Sequence, residues 1–266
     1  MKRILITGAA GEIGTVLRAG LAGRYPLLRL ADMRPCGKLG AGEEEAVTDV
    51  TNSEAVARAA RDIDCIVHLA GVAREGPWDQ ILPGNIAGTY NVFEAARRNG
   101  VKRVIFASSN HVIGFHRVGK PVDEHAALRP DSRYGVSKVF GEALGSLYAD
   151  KHGLSVACLR IGAFRERPGN ARELRAWISH RDTVQLVRCC IDAPSFHFIV
   201  VYGVSANTRN QWRDGTAARI GYKPKDNAED YAAGLEDKVF PPGPASDFHG
   251  GGPCAQEFSG DLSKIP

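Results

Sequence analysis

The sequence has no apolar run that approaches the length of a membrane span, which excludes a helical membrane protein. Its nearest approach to a secretory signal is Met1-Lys2-Arg3 followed by Ile4-Leu5-Ile6. That apolar stretch stops at Thr7 and a glycine-rich turn, far short of a signal core. There is no Cys-x-x-Cys pair and no histidine-rich segment. The six cysteines (Cys36, Cys65, Cys158, Cys189, Cys190 and Cys254) therefore fit neither a zinc site nor a disulfide framework. No metal is expected, and free thiols in a reducing, cytoplasmic setting are the simpler account. A long Lys/Arg run is missing too. The net charge of +4, from 34 basic against 30 acidic residues, is small and dispersed, so neither nucleic acid nor a membrane surface is an expected partner. No internal repeat is visible.

What is present is the composition of an ordinary globular core, with 44% hydrophobic and 24% charged residues. Ile4-Leu5-Ile6, Leu27 to Leu30, Cys65-Ile66-Val67, Val104-Ile105-Phe106, Val156 to Leu159 and Phe198 to Tyr202 read as strands. Most are near-continuously apolar, as parallel strands covered on both faces should be. Helices are expected over Gly14 to Ala22, over Glu54 to Arg61 behind an Asn52-Ser53 cap, over Asn85 to Asn99 ahead of Gly100, and over Ser132 to His152 ahead of Gly153. Further helices are expected at Arg172 to Ser179, Thr183 to Asp192 and Asn227 to Asp237. Alternating strands and helices predict an α/β fold, a Rossmann-like doubly wound parallel sheet with a small C-terminal substrate lobe. The expected division is a dinucleotide-binding core at 1–160, the lobe at 161–240 within the same domain, and a Gly/Pro-rich irregular tail at 241–266.

Thr7-Gly8-Ala9-Ala10-Gly11-Glu12-Ile13-Gly14 follows a strand and opens a helix. Glycines at 8, 11 and 14 permit a tight turn and close approach of a pyrophosphate to the positive helix end. The spacing is G-x-x-G-x-x-G, not the commoner G-x-G-x-x-G. Asp32 stands 18 positions beyond Gly14, at the end of the second strand. A carboxylate there hydrogen-bonds ribose hydroxyls and repels a 2′-phosphate, which favours NAD over NADP. Arg34 is either a solvated side chain or a phosphate partner, and Asp49-Val50 either touches adenine or merely opens a helix. His68-Leu69-Ala70-Gly71 ends a strand at the ligand edge of the sheet, with His68 itself read as a packed strand residue.

Tyr134-Gly135-Val136-Ser137-Lys138 places a phenol and an amine on one helix face. An ammonium beside a phenol favours the phenolate, which a general base requires. Together with Asn85-x-x-Gly88-Thr89-x-Asn91 and Ser109, these motifs resemble the extended branch of the short-chain dehydrogenase/reductase superfamily over roughly the first 160 residues. The resemblance implies Tyr134 as acid/base, Ser109 orienting the substrate oxygen, and Lys138 also holding the nicotinamide ribose. It implies NAD contacts at Gly8, Gly11, Glu12, Ile13 and Gly14, at Asp32, Met33 and Arg34, at Asp49 and Val50, and at Leu69, Ala70 and Gly71. Asn85, Ser108, Tyr134, Lys138 and Ile161 complete that set.

A narrower similarity, to the uronate dehydrogenase family, rests on Phe106-Ala107-Ser108-Ser109-Asn110-His111-Val112-Ile113-Gly114, Arg129-Pro130-Asp131-Ser132-Arg133-Tyr134-Gly135, Leu159-Arg160-Ile161-Gly162 and Val200 to Asn207. It implies oxidation of glucuronate or galacturonate at the anomeric carbon to an aldarolactone. The implied substrate contacts are Ala73, Ser109, Asn110, His111, Tyr134, Ala163 and Arg172, the last gripping the carboxylate. For Asn110 and His111 a purely structural loop is the competing reading, and for Arg172 a surface arginine among Arg165, Arg167 and Arg175. Ala73, Ala163-Phe164 and Gln211-Trp212 depart from the family pattern, which expects Ser, Ser-Cys and paired tryptophans there. Relatives pair through helices around 88–98 and 134–151, so a homo-oligomer is expected. The rival reading is a nucleotide-sugar epimerase or another sugar-acid dehydrogenase of the same branch.

Overall fold

The computed structural model describes residues 2–266. Among the described residues nine strands form: β1 (Arg3–Thr7), β2 (Leu27–Asp32), β3 (Glu43–Val47), β4 (Cys65–His68), β5 (Arg103–Ser109), β6 (Ser155–Ile161), β7 (Ala163–Phe164), β8 (Trp177–Ile178) and β9 (Phe198–Gly203). Seven of them build one wholly parallel sheet in the order β3-β2-β1-β4-β5-β6-β9, and β7 pairs with β8 in a small parallel ribbon. The order reverses between β1 and β4, the switch point at whose carboxyl edge such sheets take ligands. Every residue of β4 and β5 is buried, which is why these strands are apolar without alternation.

Successive side chains of a strand point to opposite faces, so the sheet carries two core layers. Ile4 and Ile6 of β1 pack with Leu28, Leu30, Val67 and Ile105 beneath α1 (Glu12–Leu21) and beneath a later helix at Leu186 and Cys190. Leu5, Ile66, Val104 and Phe106 turn the other way. They pack beneath α2 (Ser53–Ala59) and beneath Val92, Phe93, Tyr148 and Ala149.

The remaining helices include α3 (Trp78–Ile81), α4 (Gly88–Arg98), α5 (Arg133–His152), α6 (Glu173–Ala176) and α7 (His180–Asp192). Their ends follow local chemistry. Asn52 caps α2 by accepting from Glu54 and Ala55 N–H, Ser132 caps α5 by accepting from Gly135 N–H, and Gly153 ends α5 in the left-handed conformation.

Several sequence expectations are corrected. The strand β3 is acidic, Glu43-Glu44-Glu45, because it lies at the sheet edge and needs no two-sided apolar cover. The first helix starts at Glu12, not Gly14. The helix expected from Asn85 is a π-type turn at Leu82–Ala87 continued by α4, with Pro83 unable to donate at its start. The helix expected over Arg172 to Ser179 is the short α6 followed by β8. Ser179 is instead the cap of α7, which begins at His180, ahead of the expected Thr183. Of the helix expected at Asn227 to Asp237 only a turn at Ala228–Tyr231 forms, and Gly234 there is left-handed. The tail contains three helical turns, Pro244–Asp247, Gly252–Ala255 and Leu262–Lys264, and lies against the body with Phe248, His249 and Cys254 buried. Among the described residues, no helix is long and apolar enough to cross a membrane.

The packing of α5 on β5 fixes the site described below, and it leaves no slack. A Cβ at Gly141 would fall 2.2 Å from Phe106 Cζ. Gly141→Ala is expected to destabilise the protein by about 1–3 kcal/mol despite the better helix propensity of alanine, through overpacking. A shift of the urea midpoint to lower concentration checks this, and an unchanged or higher midpoint refutes it.

Candidate active site

The glycine turn joins β1 to α1 at the carboxyl edge of the sheet. Gly8 is left-handed at φ 72°, and a Cβ on Gly14 would fall 2.3 Å from Gly8 O. The backbone there can therefore fold tightly only without side chains. Gly11 is the N-cap of α1, and no side chain satisfies the first amides of that helix. An open, positive helix end behind a tight glycine turn fits a pyrophosphate.

Asp32, at the end of β2, accepts from Ala10 N–H at 3.0 Å and from Arg34 N–H at 3.0 Å. These two bonds hold its carboxylate rigidly, with lone pairs left for a ribose diol. Arg34 folds back on the same group, 3.6 Å from Asp32 and donating to Ala10 O at 2.7 Å. Met33 is 67% exposed beside it. Asp49 accepts from the Thr51 amide and hydroxyl, both at 2.8 Å, in a local turn. Val50 is buried and packs where α4 begins, since a Cβ on Gly88 would fall 2.7 Å from it.

His68 is a packed residue. It bonds Thr7 Oγ1 at 2.8 Å and Thr89 Oγ1 at 3.2 Å, and burial pushes its pKa down to about 3. Beyond it, Leu69 N–H donates to Thr7 O at 3.1 Å, bringing Leu69, Ala70 and Gly71 beside the glycine turn. The Asn85 side chain is fully engaged, bonding both backbone groups of Val72 and the Ser137 hydroxyl. Ser108 is likewise committed, donating to Glu142 at 2.6 Å. These two side chains support the crevice, and their polar groups are spent inside the protein.

Tyr134 and Lys138 lie one turn apart on α5, both buried. The Lys138 Nζ stands 5.4 Å from the Tyr134 ring centroid and 5.0 Å from that of Phe106. Burial pushes the Tyr134 phenol up to about 12, against a lowering hydrogen bond from Ser109, with Asp131 raising it further. Burial alone pushes Lys138 down to about 8. Proximity on one helix face had implied a phenol made more acidic by its amine neighbour. Desolvation outweighs that effect in the protein by itself.

Ser109 ends β5 and caps a turn over Asn110–Ile113. His111 bonds Asp131 through Nδ1 at 2.7 Å and meets the Tyr134 ring edge-on at 5.8 Å. In the amide orientation that satisfies its neighbours, Asn110 donates to Ile161 O at 3.2 Å and accepts from Arg172 Nη2 at 2.8 Å. Arg172 Nε donates to His249 O at 2.9 Å. No ion pair to Arg172 occurs among the described residues, and burial lowers its pKa. Ala163 opens β7 nearby, and Ala73 is exposed on the loop after β4.

Three supports were not read from the sequence. Glu142, four residues beyond Lys138, forms a bidentate buried pair with Arg160 of β6 at 3.0 and 2.9 Å. Glu75 accepts from Tyr134 N–H at 2.9 Å and from Arg133 at 2.8 Å, pinning the loop after β4 to the start of α5. The tail holds Arg172 through His249. Only Glu142 left a sequence signal, its helical spacing from Lys138.

The sequence profile of the NAD dependent epimerase/dehydratase family matches residues 4–165. A uronate dehydrogenase of Pseudomonas putida is 43% identical over 246 residues, covering 92% of this chain and 91% of that protein. A mutant of the Agrobacterium tumefaciens uronate dehydrogenase, complexed with NAD, superposes with a TM-score of 0.90 at 42% identity, covering 96% of this chain and 97% of that one. A glucuronic acid dehydrogenase from Chromohalobacter salexigens gives 0.92 at 38% identity, covering 99% of both chains.

The depressed Lys138 fixes the sign of a pH effect. Its folded value, about 8, lies below its ordinary 10.5, so between these values the native state holds fewer protons than the unfolded chain and stability rises with pH. Without cofactor, Lys138→Met is expected to be more stable than the parent at pH 7 by about 1–3 kcal/mol, and the gain should shrink as pH approaches 10. Urea unfolding at both pH values checks this. A constant difference refutes it.

Proposed function

The chain belongs to the NAD dependent epimerase/dehydratase family, and within it to the uronate dehydrogenases; from that premise we propose that it oxidises a hexuronic acid, glucuronate or galacturonate, at the anomeric carbon to an aldarolactone. The observation that carries the substrate reading is Arg172. A guanidinium held from behind by His249 O and Asn110, with no carboxylate of its own, offers its remaining donors to an incoming carboxylate. The Gly250–Gly252 turn lies directly on Arg172, with a Cβ on Gly251 falling 2.5 Å from Arg172 Cδ. That tight cover favours a small free sugar acid over the nucleotide-linked sugar of an epimerase.

In this reading Ser109 and Tyr134 bind the anomeric hydroxyl. Tyr134, as phenolate, takes its proton, and the anomeric C–H leaves as hydride to make the lactone carbonyl. NAD⁺, when bound, supplies the hydride acceptor. The Gly8–Gly14 turn holds its pyrophosphate, Asp32 its adenosine ribose, and Lys138 the nicotinamide ribose. Lys138 also contributes positive charge beside the phenol once its amine is protonated. His111 and Asn110 take sugar hydroxyls. Ala73 and Ala163 line the pocket without hydroxyls of their own, which leaves the choice between epimers to other contacts.

Assembly follows the same reading. Tyr90 on α4 and Val136 and Leu147 on α5 are apolar and 47%, 45% and 47% exposed, and they supply a face for a second copy of the chain. The six unpaired cysteines suit a cytoplasmic setting.

NADH formation with glucuronate, galacturonate and glucose tests the substrate class. Both uronates should be oxidised and glucose poorly, and glucose turned over as fast as the uronates would sink the reading. Tyr134→Phe should keep NAD⁺ affinity and lose about 10²-fold or more in kcat. Arg172→Ala should raise KM for uronates by about 10–100-fold, the loss of a charge-assisted pair. Light scattering is expected to give a multiple of the 28.6 kDa chain mass, reduced by Leu147→Glu.

A further inference from the structure

We propose that Asp131 is a positioning residue of the substrate site, holding the His111 ring with its proton on Nδ1 so that Nε2 presents a lone pair to a sugar hydroxyl. This rests on the reading of the crevice as a uronate site and adds the element that sets the polarity of one of its contacts.

The pair is built in detail. The Asp131 carboxylate is fully buried, while the His111 side chain is 19% exposed. Oδ2 lies 2.7 Å from His111 Nδ1, and Oδ1 accepts from the Ser132 hydroxyl at 2.7 Å. The backbones are tied as well, Asp131 N–H donating to His111 O at 3.3 Å. The carboxylate has nowhere else to go. A Cβ on either Gly114 or Gly250 would fall 1.8 Å from Oδ2, and Gly250 N–H donates to Gly114 O at 2.9 Å, so two glycine backbones close the seat. The C-terminal segment therefore forms one wall of it.

An ionised carboxylate only accepts hydrogen bonds, so Nδ1 must donate, and a neutral ring then has Nε2 as its acceptor. No other hydrogen bond to the His111 ring occurs among the described residues. Helix capping does not account for Asp131, because the cap of α5 is the Ser132 hydroxyl. Asp131 is also foremost among the negative groups that favour the Arg172 cation, which lacks an ion pair of its own. One buried charge thus stands behind both His111 and Arg172, two of the proposed contacts to the sugar.

Asp131→Leu removes the acceptor at similar volume, and Asp131→Asn keeps one oxygen that can face Nδ1. Nitrogen-15 NMR of the imidazole rings at about pH 8, where a neutral ring reports its tautomer, is read with His111→Gln as the assignment control. The wild-type His111 should be protonated on Nδ1 and that of Asp131→Leu on Nε2. The Leu variant should show KM for glucuronate raised roughly tenfold or more with NAD⁺ affinity within about twofold, and Asn should recover part of the loss. A wild-type ring protonated on Nε2, an unchanged KM in the Leu variant, or equal losses in both variants overturns the proposal. If the Leu variant does not fold, the wild-type spectrum and the Asn variant decide. A wild type that oxidises no uronate would count against the substrate reading, while its ring spectrum would still report where Asp131 puts the proton.

Discussion

The geometry of the crevice depends on one buried ion pair. Arg160 reaches from β6 and Glu142 from α5, and the two meet with side chains 3% and 5% exposed. Ser108 closes the third corner from β5, and Tyr202 adds a bond to Arg160 from β9. Four elements are locked at a point one helical turn from Lys138 and one residue from Ser109. Such a pair adds little net stability over a well-packed apolar trio, but breaking it by removing one partner costs about 3–5 kcal/mol. Its value is in register. The helix carrying Tyr134 cannot slide along the strand carrying Ser109 without leaving a charge unpaired in the core.

Electrostatics then sets the resting state. The same close packing that fixes Tyr134 and Lys138 strips both of water, so the phenol is held neutral and the amine is driven toward neutrality near physiological pH. A phenolate beside an ammonium is thus the costly arrangement in the protein alone. Charge separation there must be stabilised by what binds, which ties proton abstraction to an assembled complex and leaves the phenol unreactive otherwise.

The sequence carried the parts of the molecule that obey short-range rules. Buried parallel strands must be apolar on both faces, so β1, β4, β5 and β6 were legible. A tight turn onto a helix end needs glycines, so the Gly8–Gly14 loop was legible, as was the Tyr134/Lys138 spacing. The acidic strand β3 was missed because its stability comes from its neighbour β2 and from ion pairs such as Arg18–Glu43, at 2.6 Å, and an edge strand shows no apolar run. Asp131 and His249 escaped for another reason. Asp131 meets His111 across 20 positions, and His249 meets Arg172 across 77, and no local pattern encodes such contacts. A glycine- and proline-rich tail reads as irregular when its glycines are in fact the room that Asp131 and Arg172 occupy.

That last point bears on why a cation can sit at Arg172 at all. An unpaired guanidinium moved out of water is unfavourable, and the depressed pKa of Arg172 records that cost. It is tolerated because a backbone carbonyl and the Asn110 amide take two of its donors, and because the Asp131 charge stands behind it. Neither neutralises it. A carboxylate arriving in the proposed site would meet a donor fork already held in place and partly desolvated, so little reorganisation opposes the new bonds. A neutral sugar of the same shape would leave the partly buried guanidinium without a direct ion-pair partner. Discrimination for an acid therefore comes from a cost built into the empty site as much as from an attraction formed in the full one.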